Sequence, residues 1–86
     1  MNTAIVTGAT SGIGEAIAET LIARGFRVIG TSRNTSAVVD PITGVDYRDL
    51  DLTDPSSIRA FVDGLADVDV DVLINNAGER DRKSVV

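Results

Sequence analysis

Hydrophobic positions along the chain fall into short continuous runs and longer stretches with helical spacing, and the two kinds of pattern succeed one another. Four segments are predicted as strands, of which the first has the β-rich content of a buried parallel strand and the third is short and partly alternating. They are Ala4–Val6, Phe26–Thr31, Val45–Leu50 and Val70–Asn75. Strands separated by helix patterns indicate a parallel sheet, so the predicted fold class is α/β.

The first helix pattern comes after the first run. Ile13, Ile17 and Leu21 recur at every fourth residue, which predicts a helix from about Ile13 to Arg24. Gly25 comes directly after this stretch and suits the C-terminal cap of the helix. We expect the three apolar side chains to pack in the core.

The second helix pattern begins with Asp54, whose side chain suits the N-cap, and with Pro55, which suits the first helical position. Its apolar residues have the i, i+3, i+4, i+7 spacing of a helix that packs on a sheet. This stripe consists of Ile58, Phe61, Val62 and Leu65.

The segment between the second and third strands, Asn34 to Gly44, is too short and too interrupted by Pro41 and Gly44 for a full crossover helix. We expect a loop, or at most one helical turn after Thr35, to cross the sheet face there. Three apolar residues are expected to cover that face in place of a helix: Val38, Val39 and Ile42.

The composition describes one small acidic unit. The chain has 86 residues, a net charge of −5 and a hydrophobic content of 43%, which favours a globular protein over a disordered one. A chain of this size buries only about 60 to 65% of its unfolded surface, so its core is expected to be marginal. The acidic balance argues against nucleic acid as a partner, and no stretch approaches the length of a membrane span.

Cysteine and histidine are both absent from the sequence. Without them the chain lacks disulfides, thiolate chemistry and the commonest metal ligand and general base, so we expect no metal site. The lack of cysteine, and of a charged and apolar leader before the first strand, favours a cytoplasmic protein.

The turn between the first strand and the first helix is the candidate binding element. Its sequence, TGATSGIG, runs from Thr7 to Gly14. Gly8 and Gly12 can adopt backbone angles that a Cβ disfavours, and Gly14 allows the helix to approach the sheet closely. The amides at the helix start then form an anion site that suits the pyrophosphate of a dinucleotide. A turn that uses glycine for steric reasons alone is the alternative, whereas a nucleoside-triphosphate loop is excluded because Glu15 stands where that loop needs lysine.

This turn, with its TGxxxGxG spacing, resembles the cofactor signature of the short-chain dehydrogenase/reductase family. Two later stretches agree with it: DLTD, Asp51–Asp54, resembles the family's adenine-contacting element, and Asn75–Gly78 reproduces its NNAG motif. The resemblance covers residues 3–78. The first part of the chain, up to and including SRN (Ser32–Asn34), is most similar to bacterial 3-oxoacyl-acyl-carrier-protein reductases and their close relatives. It implies the first half of a doubly wound, Rossmann-type parallel sheet with strand order 3-2-1-4 and helices on both faces.

The glycine turn and the resemblance together give the set of cofactor-binding residues. By resemblance, the Asp51 carboxylate contacts the adenine amino group, Asn76 to Gly78 line the ribose and nicotinamide side, and Asn75 ties neighbouring strands together. The alternatives are that Asp51 only caps a turn and that a buried asparagine pair bonds only to backbone. The predicted set is Gly8, Thr10, Ser11, Gly12, Ile13, Gly14, Arg33, Asp51, Leu52, Asn76, Ala77 and Gly78.

The end of the second strand bears on the choice of cofactor. A site for NAD places Asp or Glu about 20 residues after the glycines, where it accepts from the ribose hydroxyls. This chain has Thr31, Ser32 and Arg33 there, so no carboxylate repels a 2′-phosphate and a guanidinium is available to bind one. The sequence therefore favours NADP(H) over NAD(H). The alternative is that Arg33 is an ordinary solvated loop cation.

The end of the sequence departs from the family. Residues 79–86, ERDRKSVV, do not resemble the segment after NNAG in family members, which divides the chain into residues 1–78, the N-terminal half of an NAD(P)-binding domain, and a tail. DRKSVV is the translation of GAT CGG AAG AGC GTC GTG, a common sequencing-adapter end, and this match gives the hypothesis that the tail is adapter read-through. A genuine basic C-terminal segment is the alternative.

The resemblance implies an oxidoreductase in which hydride passes between NADP(H) and a carbonyl or alcohol substrate. Family members use a tyrosine, a lysine four residues later and a serine for this reaction. Tyr47 is the only tyrosine here, and Asp51 stands four residues after it. We therefore assign no catalytic residue and expect an inactive fragment of a homo-oligomeric parent enzyme.

A non-catalytic dinucleotide-binding or regulatory module is the alternative function. Extended relatives that act on nucleotide sugars usually carry GxxGxxG, which fits these glycines less well. The fourth strand is expected to expose an apolar edge, so that the isolated chain associates or partly unfolds. The substrate cannot be predicted, because this half of the fold is shared among many specificities.

Overall fold

A computed structural model of the chain describes residues 2–10, 12–38 and 40–76. It contains four strands, two α-helices and one short 3₁₀ turn in these described residues. In chain order they are β1 (Thr3–Thr7), α1 (Gly12–Ala23), β2 (Arg27–Ser32), the 3₁₀ turn (Thr35–Ala37), β3 (Val45–Asp49), α2 (Pro55–Asp63) and β4 (Val72–Ile74). Neither α-helix has the length and apolar content that crossing a membrane would require, within the part of the chain described.

The strands form one parallel sheet in the order β3-β2-β1-β4, which confirms the predicted α/β class and the 3-2-1-4 order. Ile5 in β1 lies beside Ile29 in β2 and Leu73 in β4. Because every strand runs in the same direction, all four carboxyl ends meet at one edge of the sheet. The segments that leave the strands are therefore brought together there.

The main core lies between the sheet and α1. Gly14 and Ala18 are the buried residues of α1, and Ala18 joins Val6, Ala9 and Val28 in a fully buried cluster. A Cβ on Gly30 of β2 would lie 2.8 Å from the Ala9 side chain, so the absence of one allows the turn after β1 to pack against the neighbouring strand.

The prediction that Ile13 belongs to the core stripe is wrong, because its side chain is 70% exposed. Ile17 and Leu21 do pack against the buried cluster, as predicted. The buried side of α1 runs through Gly14 and Ala18, one residue further along than a stripe that begins at Ile13. Ile13 is consequently an apolar side chain in the first helical turn at the carboxyl edge.

The start of α2 forms as predicted, whereas its apolar stripe is less buried than predicted. Asp54 is the N-cap, its Oδ1 accepting from the Ser56 amide at 2.9 Å, and Pro55 opens the helix. No residue of α2 is buried, and Ile58 and Val62 are 37% and 56% exposed, so the prediction that they pack on the sheet is wrong. The helix contacts the sheet through β3 and leaves the other side of its stripe open.

The C-terminal end of α2 is held by β3. Arg48 Nη1 donates to the Gly64 carbonyl oxygen at 3.0 Å, and its Nε and Nη2 donate to the two carboxylate oxygens of Asp46. The bonds to Asp46 raise the pKa of Arg48 above its usual value. Val45 of β3 packs against the cluster on the α1 side, and side chains alternate between the two faces of a strand, so Arg48 and its contact with α2 lie on the opposite face. One helix therefore lies on each face of the sheet, as expected.

The segment between β2 and β3 contains one 3₁₀ turn and no longer helix, which confirms the prediction. Ile42 packs against the core cluster, and its amide donates to the Tyr47 hydroxyl at 2.8 Å. Val38 is half-buried, while Val39 lies outside the described residues.

Strand β4 is shorter than predicted and begins at Val72 rather than Val70. Asp71 and Thr3 bond to each other just before it: the Thr3 amide donates to Asp71 Oδ2 at 2.8 Å, and the Asp71 amide donates to the Thr3 carbonyl at 2.9 Å. The Thr3 amide is thus bound by a carboxylate, and the regular pairing of β1 with β4 begins with the next pair, Ala4 and Val72.

We expect the 86-residue chain to self-associate and a Leu73→Lys substitution to reduce this association. Leu73 is 63% exposed on an edge strand, where a charged side chain opposes strand-to-strand and apolar association. Sedimentation velocity at several concentrations measures the effect. Ala23→Lys, which adds the same charge on the surface of α1, is the control. A monodisperse native monomer with cooperative melting would contradict the expectation.

Candidate functional site

The candidate site lies at the carboxyl edge of the sheet, where the chain reverses its direction of winding. From β1 the chain moves outward to β2 and β3, and then returns to the other side of β1 to form β4. In open α/β sheets, ligands bind at this kind of reversal. The predicted site residues that the structure describes come directly after these four strands, so the topology brings them to one edge.

The glycine turn has the backbone conformation that was predicted for it. Gly8 and Gly12 have φ values of 66° and 54°, in the left-handed region that favours glycine. Between them, Ala9 is buried, its amide donating to the Thr31 carbonyl at 3.0 Å, and Thr10 is half-buried. Ser11, another predicted site residue, lies outside the described residues.

Gly14 is the point of closest approach between α1 and the end of β1. A Cβ at this position would clash with the Gly8 carbonyl oxygen and would lie 2.5 Å from Asn76 Nδ2. The predicted reason for glycine at position 14 is therefore confirmed. The approach directs the first turn of α1, whose amides have no acceptor within the helix, toward the carboxyl edge.

Side chains join the ends of β1 and β4. The Thr7 hydroxyl lies 3.1 Å from Asn75 Oδ1 and 3.4 Å from the Ile74 carbonyl oxygen, and it accepts from the Asn76 amide at 2.8 Å. Asn76 Nδ2 donates to the Gly8 carbonyl at 3.2 Å. These bonds agree with the strand-tying role predicted for Asn75. The alternative of a buried pair bonded only to backbone is wrong, because Asn75 is exposed and bonds to a side chain.

Asp51 and Leu52 lie in a tight turn after β3. Asp51 Oδ1 accepts from the Thr53 amide at 2.9 Å and from the Thr53 hydroxyl at 2.6 Å, and the Asp51 amide donates to Ser57 Oγ at 2.8 Å. The bonds from Thr53, with a smaller contribution from the positive charge of Arg33, hold the pKa of Asp51 below its usual range. Asp51 thus caps a turn, and the side chain of Leu52 beside it is 52% exposed.

Arg33 is exposed directly after β2. Ser32, the last residue of β2, is bound to the segment after β3, because the Leu50 amide donates to the Ser32 carbonyl at 2.8 Å. Asp49 at the end of β3 binds the next segment, because its Oδ1 accepts from the Thr35 amide at 2.8 Å and from the Thr35 hydroxyl at 2.7 Å. These two bonds hold the pKa of Asp49 below its usual range.

Two of these arrangements were not anticipated from the sequence. The roles of Thr7 and Asp49 depend on which residues of neighbouring strands stand side by side. The cluster Asn34 to Ser36 is a turn signal that marks the segment, but it does not show that Asp49 is its acceptor. Among the predicted residues, Ala77 and Gly78 lie outside the described part of the chain.

The described residues contain no group of three or more acidic side chains that could hold a metal ion, and the sequence has no histidine or cysteine. The groups at the carboxyl edge are backbone amides, hydroxyls, amide side chains, the carboxylates of Asp49 and Asp51 and the guanidinium of Arg33. This combination can bind a polar, anionic ligand of extended shape.

A parallel sheet with a glycine-rich turn at its winding reversal defines a Rossmann-type nucleotide-binding class of protein. The chain belongs to the short-chain dehydrogenase family, whose sequence model, described as short chain dehydrogenase, matches residues 2–85. This confirms the resemblance seen in the three motifs.

Similar proteins agree on the family and differ in the cofactor bound. The 3-oxoacyl-acyl-carrier-protein reductase FabG of Salmonella typhimurium is 46% identical over 81 residues, covering 87% of this chain and 33% of its own. A Burkholderia multivorans short-chain dehydrogenase/reductase with bound NADP is 32% identical, with a TM-score of 0.79 over 90% of this chain and 36% of its own. A 4-hydroxyisoleucine dehydrogenase complexed with NADH is 26% identical, with a TM-score of 0.79 over 93% of this chain and 35% of its own. The chain spans about a third of the length of the curated relatives it matches.

We expect Gly14→Ala to lower the free energy of unfolding by about 1–3 kcal/mol, because the new methyl group would overlap the Gly8 carbonyl. Urea unfolding measures this. The sign is informative, since helix propensity alone predicts that alanine stabilises this position by up to about 1 kcal/mol.

Gly12→Ala is the matched control for this substitution. Apart from its chain neighbours and the backbone of its own helix, no described atom lies within 4 Å of a Cβ at Gly12, so the cost is limited to that of the positive φ, about 1 kcal/mol. A Gly14→Ala variant as stable as the native chain would contradict the close approach.

Acidification is expected to destabilise the native chain more than a Thr53→Ala variant. The Thr53 bonds favour the ionised form of Asp51 in the fold, so its folded-state pKa lies below the unfolded value of about 3.9. The stabilisation is complete at neutral pH and is lost as the pH falls through about 3.9 toward the lower folded-state pKa. Urea unfolding from pH 7 to pH 3 measures this, with Thr43→Ala as an exposed threonine control. Parallel curves for all three proteins would contradict it.

Proposed function

We propose that this chain is the cofactor-binding part of a short-chain oxidoreductase that transfers hydride between NADP(H) and a carbonyl or alcohol substrate. Residues 1–78 are the N-terminal half of the dinucleotide-binding domain in this proposal. The observation that carries it is the cradle at the end of β1, where Gly8 and Gly12 adopt positive φ and Gly14 lets α1 approach the strand.

The dinucleotide pyrophosphate fits this cradle. Its negative charge would lie against the first turn of α1, where free amides and the positive end of the helix dipole favour an anion. Thr10 would supply a hydroxyl donor on the same turn, as would Ser11 by its place in the sequence, and the amide of Ile13 belongs to the first turn of the helix. The bonds from Asn76 to the Gly8 carbonyl and to Thr7 keep the β4 end against this cradle.

The adenosine end of the cofactor fits the ends of β2 and β3. Asp51 and the exposed Leu52 would contact the adenine, and Arg33 would bind the 2′-phosphate. The positive charge of Arg33 is a minor cause of the lowered pKa of Asp51, which agrees with the two residues lying at the same edge of the sheet. No acidic residue occupies the end of β2, Thr31 and Ser32 standing there instead, so we favour NADP(H) over NAD(H).

The nicotinamide ring would lie on the β4 side, beside Asn76, Ala77 and Gly78. When bound, NADP(H) supplies the hydride or accepts it. The residues of this chain bind and orient the cofactor. The groups that move the proton would belong to a longer polypeptide, since Tyr47 binds the Ile42 amide and is not followed by a lysine at the fourth position. The small-molecule substrate and the homo-oligomeric assembly would be properties of that longer polypeptide as well.

A non-catalytic dinucleotide-binding or regulatory module is the second candidate. It shares the same cradle and makes the same prediction for cofactor binding by this chain. Turnover of a carbonyl substrate by the longer polypeptide supports the oxidoreductase, whereas tight NADP(H) binding without turnover there supports the module.

We expect Arg33→Ala to weaken NADPH binding by about ten- to a hundredfold, the equivalent of one charge-assisted hydrogen bond of about 1.5–3 kcal/mol. NADH binding is expected to change by less than about twofold, because it has no 2′-phosphate for Arg33 to bind. Isothermal titration of the 86-residue chain measures both affinities.

Arg59→Ala is the control for this experiment, because Arg59 is an exposed arginine on α2 and its replacement removes the same charge from the protein. It is expected to bind both cofactors like the native chain. Equal losses of NADPH affinity in the two variants would show a general charge effect, and binding of neither cofactor by the native chain would contradict the proposed function.

A further inference from the structure

Arg33 and Asn34 form a two-residue bridge between two fixed points. On one side, the Ser32 carbonyl at the end of β2 accepts from the Leu50 amide at 2.8 Å. On the other side, both donors of Thr35 reach Asp49 Oδ1, at 2.8 and 2.7 Å. Ser32 and Asp49 are themselves partners in the β2–β3 register. Both ends of the bridge are therefore fastened to the end of β3.

The bridge is also ordered from within. The Asn34 amide donates to Ser32 Oγ at 3.2 Å, and Ser36 Oγ donates to Asn34 Oδ1 at 2.6 Å. Arg33 is exposed between these bonds, and its positive charge is a minor cause of the lowered pKa of Asp51. The backbone that carries its guanidinium is thus held at both ends and in the middle.

We propose that Asp49 is a positioning residue for Arg33: by binding Thr35 it fixes the bridge and so makes the guanidinium selective for the 2′-phosphate of NADP(H). This inference rests on the proposed function. A side chain presented from an ordered segment loses less conformational freedom when it binds its ligand, and the affinity rises accordingly. The selectivity then depends on a residue that does not itself contact the cofactor.

The charge of Asp49 acts in the opposite direction to its hydrogen bonds. A carboxylate near a phosphate site repels the phosphate, although the effect is weakened by solvent and salt because Asp49 is exposed. The two effects predict opposite results when the carboxylate is removed. Substitutions that separate the charge from the hydrogen bonds can therefore distinguish them.

Asp49→Ala and Asp49→Asn make this separation in the 86-residue chain. Alanine removes the charge and both bonds, whereas asparagine removes the charge and keeps an acceptor oxygen for Thr35. We expect Asp49→Ala to weaken NADPH binding about three- to tenfold and NADH binding by less than about twofold. We expect Asp49→Asn to retain NADPH affinity within about twofold of the native chain, or to exceed it. Isothermal titration with NADPH and NADH gives all the values.

A double-mutant cycle tests whether Asp49 acts through Arg33. In an Arg33→Ala background, Asp49→Ala is expected to produce no further loss of NADPH affinity, because there is no guanidinium left to position. An undiminished loss in that background would overturn the proposal. Thr35→Val, which removes the hydroxyl bond alone, gives a smaller loss in the same direction and serves if Asp49→Ala does not fold.

Other outcomes also overturn the inference. Equal losses for NADPH and NADH would mean that Asp49 only stabilises the fold, and a gain of NADPH affinity in both variants would mean that only its charge matters. Native binding of NADPH and NADH with the same affinity overturns the selectivity but leaves dinucleotide binding intact. If the native chain binds neither, the proposed function fails together with this inference.

Discussion

The approach of α1 to the end of β1 is the contact on which the rest of the structure depends. Gly14 has no side chain, and for that reason the helix can begin directly above the Gly8 carbonyl oxygen. The same approach brings Asn76 within reach of that carbonyl and so fastens β4 to β1. One missing methyl group thus couples the direction of the helix, the shape of the turn and the pairing of the fourth strand. The direction of the first turn of α1 toward the carboxyl edge is a consequence of this packing and needs no additional element.

Features set by neighbouring residues were predictable from the sequence. Gly8 and Gly12 have the expected positive φ, Asp54 caps the helix that Pro55 opens, and the interrupted segment before β3 forms a single short turn. The strand order was predicted from a family resemblance, and the sheet confirms it. The glycine conformations, the helix cap and the short turn each depend on local sterics and on hydrogen bonds within a few residues, so they can be predicted from the sequence.

Features set by the neighbours of an element were predicted less well. Ile13 and Val62 have helical spacing that is typical of a core, but spacing cannot show where the sheet beneath the helix ends. The bond of Asp49 to Thr35 and that of Thr7 to Asn76 depend on strand register, and the second of these spans 69 residues of sequence. Hydrogen bonds of this kind become visible only when the strands are aligned, although they hold together most of the candidate site.

The pairing of Thr3 with Asp71 has a consequence for the order in which the molecule can be assembled. β1 is synthesised before the other three described strands, and it lies between β2 and β4 in the sheet. Its second neighbour comes 68 residues later, which at about 5–20 residues per second leaves one side of β1 open for roughly 3 to 14 s on the ribosome. Closing the long loop between β1 and β4 is slow, because the entropy of loop closure is lost before the contacts between the two strands can form. During translation, β1, which is fully buried in the folded sheet, therefore has one edge without a neighbouring strand.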